Sequence, residues 1–460
     1  MTSVHEPAAP PDGDLALAPP SRPPRPPRIA ASPGRGVWWV SPAGAIALVV
    51  PTTLLLALRT PQLDFRLFYR SPKTLTSAEA TLFAAAALVL VLGSLLPLTV
   101  ASSRWSRSWP SLSAAQLRVL LRASSVCFWL TVTGYVALLL AGVARGARSA
   151  DLVSAVTSQS NYTGNLKALF APVTGITTLT QVGIAYVVVA GLLLSQRPPQ
   201  GRTRQIRRRL LIVVLLGLLR SFFLTERLAL LEVLVPLIAV SAVRARQRSR
   251  VAWTLPAAPA LAVPLLIVVF GAFEYSRSWV YFRSRTQQTF PGFVVNRLAG
   301  YYATAYNNGA LQLQYGQRSG RLPYDSFEAF WTAPGVSQLH LYQRVTGSYG
   351  SQLLDTVLTQ HGNPEFNNPG GLAVPLLELG TVGGLIFFAI AGLLIGCAYR
   401  SFRAGEPVGL LLYPVAFTGL LELPRYVYWT QGRLTPAVLV LVVIGLRLRS
   451  ADRRARDPVP

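Results

Sequence analysis

Residues that soluble enzymes commonly use for chemistry are scarce in this 460-residue chain. It has two cysteines, Cys127 and Cys397, both inside apolar runs, which argues against a disulfide framework or a zinc site. Its three histidines, His5, His340 and His361, are scattered. No GxxxxGK[ST], HExxH, GxSxG or CxxC pattern occurs, so an ATPase, a zinc protease and an α/β-hydrolase are not indicated, and no metal or cofactor is expected. Charge is sparse at 13% of residues, and acid is the scarcer sign: 18 Asp and Glu against 43 Lys and Arg, a net +25. Only Lys73 and Lys167 are lysines, so the abundance of Arg says little about any one Arg. A nucleic-acid binder of this charge would be polar, and a disordered basic chain would be poor in Leu, Val and Phe. Here 51% of residues are hydrophobic and the mean hydropathy is +0.41. Nucleic acid is therefore not an expected partner, and membrane lipid is.

What is present is a series of long apolar runs. Six spans, 37–58, 80–103, 123–144, 168–196, 251–273 and 379–399, each supply the ~20 residues a helix needs to cross a bilayer. Two weaker ones, 407–421 and 434–446, complete a further pair. The run 210–243 carries Arg220, Glu226, Arg227 and Glu232 and is too long for one crossing, at about 51 Å as a helix. Arg207 to Arg209 precede it and Arg244, Arg246, Arg248 and Arg250 follow it, so both ends face the cytoplasm and the run reads as a helical hairpin. Each arm is then about 16 residues, or roughly 24 Å, which recesses the tip at Leu224–Arg227 below the outer interface. The expectation is an all-α polytopic membrane protein with about ten transmembrane helices. It comprises a Pro-rich, disordered cytoplasmic tail (1–36), helices one to seven (37–273), a large extracytoplasmic loop (274–371), helices eight to ten (372–448) and a second cytoplasmic tail (449–460). Counting cations by loop puts about +19 of the +25 inside, both termini included, so most of the charge is an orientation signal.

The late loop is the dominant extramembrane feature. Its 97 residues between Glu274 and Leu372 hold 17 of the 45 aromatic residues, with Asn296, Asn307, Asn308, Asn363, Asn367 and Asn368. A linker would be poor in aromatics, so this loop reads as a folded element. Rings that stack on sugar C–H faces, mixed with amides and Arg, suit carbohydrate; packing of the loop onto the bundle explains the same composition equally well. Within it, 293–315 and 352–360 read as helices, the first placing Arg297, Tyr301 and Asn308 near one face. Tyr301, Asn308 and Glu378 are candidate glycan contacts.

Ionisable groups at membrane depth are costly and face a cavity or a partner. Arg220 and Arg227 in the hairpin, with Arg277 and Arg297 after the seventh crossing, are candidates to hold a lipid diphosphate, because guanidinium matches phosphate oxygens in a bidentate way. The competing role is an internal salt bridge of Arg227 with Glu226 or Glu232. Glu365, His361 and His340, with Asp355 and Glu378 also in the same region, are candidates for a catalytic base, and the sequence does not choose among them.

The stretch Asn367-Asn368-Pro369-Gly370-Gly371 through Glu378, Gly380, Gly383 and Gly384 to Arg400 resembles the late crossing of Wzy-type O-antigen and oligosaccharide repeat-unit polymerases. Thr225-Glu226-Arg227 is similar to that family's mid-chain Arg segment, and Arg297 to Gly309, with Tyr301, Tyr302, Asn307 and Asn308, to the large-loop start of actinobacterial members. The likeness spans roughly residues 205 to 400. It implies a GT-C-like, metal-independent glycosyltransferase of the cytoplasmic (inner) membrane. Such an enzyme joins polyprenyl-diphosphate-linked oligosaccharide donor and acceptor units into a surface polysaccharide, alongside flippase and chain-length regulator proteins. The first outer loop, 59–78, lacks the diacidic motif of many polyprenyl-phosphate-sugar transferases. Rival readings are an O-antigen-ligase-like transferase and a lipid-linked-oligosaccharide flippase or transporter, although no internal repeat favours the latter.

Overall fold

The computed structural model describes residues 37–99, 112–156, 166–196, 198–246, 255–316 and 322–456, apart from positions 167, 174, 225, 227, 285, 286, 349 and 351. The first tail, 1–36, lies outside the described residues, as does the end of the second from 457. No strand occurs among the described residues. The helices are α1 (Pro42–Arg59), α2 (Gln62–Phe68), α3 (Ser77–Thr99), α4 (Ala114–Ala144), α5 (Ser149–Val156), α6 (Val182–Ser195) and α7 (Gln200–Phe223). After these come α8 (Leu228–Arg246), α9 (Ala258–Glu274), α10 (Phe290–Tyr315), α11 (Gln352–His361), α12 (Val374–Ala404), α13 (Pro407–Glu422) and α14 (Thr435–Arg456), with short helical turns between.

Among the described residues, seven stretches are long and apolar enough to cross a membrane: Pro42–Arg59, Ser77–Thr99, Ala114–Ala144, Thr177–Ser195, Leu255–Glu274, Val374–Ala404 and Gly432–Ala451. Leu228–Ala242 and Pro407–Glu422 are apolar but shorter. The chain is a multi-pass, all-α membrane protein.

Local chemistry sets several boundaries. Ser41 accepts the Gly44 N–H at 2.9 Å and Pro42 opens the first turn, which starts α1. Ser113 and Gln116 form a reciprocal capping box at α4. The expected fourth crossing from 168 begins late. Pro172 and Gly175, the latter at φ +96°, hold 171–173 and 175–176 out of helix, and a 3-10 turn at Thr177–Gln181 leads into α6. The run 210–243 does divide, but its helices have 24 and 19 residues because the Arg-rich flank from Gln200 is itself helical. Both loop helices lie where their apolar and aromatic pattern puts them, α10 starting three residues early.

The glycines of α12 have separate tasks. Gly380, at φ +74° and ψ 170°, breaks the helix near its start. Gly384 packs on Leu376 across that break, and a Cβ on Gly392 or Gly396 would run into the carbonyls of Leu90 or Ser94 on α3. Backbones this close are the small-residue packing found between membrane helices.

One end of the bundle positions the candidate site. The closing ends of α7, α9 and α13 lie there with the opening ends of α6, α8, α12 and α14, and α10 packs against α1, α9 and α11. Asn307 on α10 accepts the Thr74 and Leu75 N–H groups and donates to Pro72 O at 2.8 Å, which fixes α10 to the start of α3. Tyr306 reaches Thr53 of α1 at 3.1 Å.

Candidate functional site

Four arginines, each against a carboxylate, occupy this end. Arg297 on α10 donates from Nη2 to Glu365 Oε1 at 2.7 Å and lies 3.5 Å by Nε from Glu274 Oε2 at the end of α9. Its guanidinium sits over Phe366 at 5.0 Å and Phe282 at 5.7 Å. Arg220, at the end of α7, reaches Glu226 Oε2 by Nε at 2.9 Å and Nη2 at 2.7 Å, and donates from Nη1 to Thr180 at 2.9 Å. Arg433 grips Glu232 of α8 with Nε on Oε1 at 2.9 Å and Nη2 on Oε2 at 3.0 Å, a bidentate pair that Tyr428 joins by donating to Oε1 at 3.1 Å. Arg425 pairs with Glu422 at 2.9 Å and donates to Asn368 Oδ1 at 3.3 Å. Tyr426 and Tyr301 present their rings to it at 5.0 and 5.4 Å.

Other expected site residues take varied places. Arg227 lies outside the described residues, and Arg277 falls in the helical turn Tyr275–Trp279 after α9. Asn308 donates to the carbonyls of Phe366 and Asn368, so its amide ties the Asn367–Gly371 turn to α10. Glu378 accepts the backbone N–H groups of Tyr324, Asp325 and Ser326 at 2.8–2.9 Å. Those three bonds fix a loop turn to the top of α12. His361 stacks on Tyr315 with ring centroids 3.9 Å apart, and His340 is exposed at φ +49°. Glu365 is exposed but tied to Arg297. Arg297, Tyr301, Asn308 and Glu365 are brought together, whereas His340 and Glu378 belong to the part of the loop around 324–346.

The expected pairing of Arg227 with Glu226 or Glu232 lies outside the described residues. Glu226 is bound by Arg220, and Glu232 by Arg433 from 201 positions away. Arg425, Glu422, Arg433, Tyr428 and Asp325 were not expected at all. The available signal was a short connection between two apolar helices, Leu421 to Leu434, that holds two arginines, an acid and three aromatics.

Asp325 has a strongly altered acidity. Burial, then the Glu378 carboxylate and then Glu328, push its carboxyl up to about 7. Burial also raises Glu328, against the opposing effects of the Gly432 N–H and Arg433. The Asp325 turn packs on the 425–433 connection, where Thr430 donates to Asp325 O at 3.0 Å. Tyr69, beneath α10, is pushed up to about 12, chiefly by burial with Asp64 adding, while Arg297 opposes.

Comparison with known proteins returns no match among protein-family models, curated proteins or solved structures.

Proposed function

We propose that the protein is a GT-C-like membrane glycosyltransferase with ten crossings and both termini in the cytoplasm. It polymerises polyprenyl-diphosphate-linked oligosaccharide units at the outer face of the cytoplasmic membrane. The observation that carries this reading is the surroundings of Arg425: a guanidinium between two tyrosine rings and an Asn amide, at the bundle end where the aromatic loop packs. Cation, rings and amide together match a substrate that is anionic at one end and a sugar at the other.

In this reading a hydroxyl of the acceptor glycan attacks the anomeric carbon of the donor. The new C–O bond forms as the bond to the diphosphate oxygen breaks, and polyprenyl diphosphate leaves with the electron pair. Arg425, with Arg297 and Arg220, neutralises the charge that grows on the leaving group. Asp325 takes the hydroxyl proton. A carboxyl poised near 7 suits that task better than Glu365, which is engaged by Arg297, or His361, which is stacked on Tyr315. Replacing Arg425 with Ala is expected to leave single repeat units on lipid and abolish polymer, while Lys restores part of it. Lipid-linked glycans from cells carrying each variant measure this, and normal polymer length in the Ala variant would overturn the assignment.

A further inference from the structure

Helix α9 packs at its two ends and stands clear of the bundle between them. At its start, Trp39 donates to Leu255 O at 2.8 Å and Trp38 to Pro256 O at 3.1 Å. At its end, Phe270, Gly271 and Glu274 are buried, with Gly271 against Val294 of α10 and Phe273 6.1 Å from Phe222 of α7. Across the ten residues 260–269 every position is exposed except Ile267, which is half-buried. A helix lying on a neighbour buries a residue every three or four positions. Nearly three turns without one mean that the inner side is open as well. Val263 is decisive: seven and eleven positions before Phe270 and Glu274, it lies on the face they bury, yet it is 55% exposed.

We propose that the gap behind α9 is a lateral entrance for the polyprenyl chain of a diphosphate-linked substrate, with the diphosphate received at Arg425. This rests on the reading of the substrate given above, and two observations select its occupant. The gap ends at Phe270, whose ring meets Tyr301 edge-on at 5.7 Å, and Tyr301 lies under the Arg425 guanidinium. An apolar slot about 15 Å long therefore runs up to a cation, which complements a molecule with a long hydrocarbon tail and an anionic end. The opening also lies on the inner side of a helix tethered at both ends. A thin flexible chain can thread there, whereas a second copy of the protein can reach only the outer face of Leu261, Leu265 and Val268.

The test uses the full-length protein in nanodiscs and a sugar-free polyprenyl diphosphate bearing a diazirine in its chain. Adducts mapped by mass spectrometry are expected on 260–270 and to be competed by unlabelled polyprenyl diphosphate. A phosphatidylglycerol carrying the same diazirine is the control. Equal labelling by both probes would mean bulk lipid alone, adducts concentrated on other helices would place the path elsewhere, and a dimer by native mass spectrometry with no adducts on 260–270 would mean a dimer face; each overturns the proposal. The labelling needs no turnover, so it stands apart from the failure of the polymerase reading. A second arm fills the slot with Val263→Trp. In a variant with unchanged thermal unfolding, conversion of long-chain lipid-linked units is expected to fall at least tenfold, while a short-chain analogue is converted as before. Equal loss with both substrates contradicts the proposal.

Discussion

Two apolar stretches of nearly equal length have opposite surroundings. In Thr177–Ser195, 83% of the most apolar part is buried inside the protein; in Leu255–Glu274 only 11% is. In water, a helix apolar on every side must be buried by protein. In a bilayer, lipid satisfies the same surface, so apolarity marks a helix as able to cross without saying what it touches. Small residues make part of the difference. Gly183 and Gly191 let α6 approach Thr131 of α4 and Val240 of α8 to within 3.1 and 3.2 Å of where a Cβ would sit, whereas the exposed part of α9 is mostly Leu, Val, Ala and Pro.

The comparison can be broken by substitution. The largest effect is expected in the packed half, at Glu232, which is 2% exposed and neutralises Arg433. Glu232→Ala leaves that cation without its partner and should destabilise by about 3 kcal/mol. Loss of monodisperse protein, or a sharply lowered Tm in detergent, checks it. Gly191→Leu forces a side chain against Val240 and should cost about 2 kcal/mol by the same measurement. Leu265→Ala on α9, 63% exposed, should stay within about 0.5 kcal/mol. A loss there as large as at Gly191 would mean that protein covers α9.

Burial acts with a different sign at Asp325. Its folded carboxyl binds a proton more readily than an unfolded one, so stability falls as pH rises from about 4 through about 7 and the penalty is complete above. Asp325→Asn removes that fall, and its Tm should gain on the wild type between pH 5 and 8. Activity runs the other way, because a base must be ionised: wild-type rate should rise through about pH 7, and the Asn variant should lack that rise.

Helix positions were largely legible, because runs such as 80–99 and 293–315 carry their own pattern. Their ends were less so where a local device intervened, as at Pro172 and Gly175 before α6. The site was legible in kind but not in pairing. Arg220 and Arg297 stood out as cations in apolar or aromatic surroundings, yet Glu232 meets Arg433 from 201 positions away, and only packing makes that pair. Arg425 was hidden in what read as a plain connection. Asp325 owes its raised pKa first to burial and then to Glu378, 53 positions on and fixed by three backbone N–H groups, relations no local pattern carries.

The most direct measurement incubates purified protein with lipid-linked repeat units in detergent and separates the products by size. A ladder of increasing length, absent with Arg425→Ala, is the predicted result. Transfer of single units to an unrelated acceptor, or movement across vesicles without any new glycosidic bond, would contradict polymerisation.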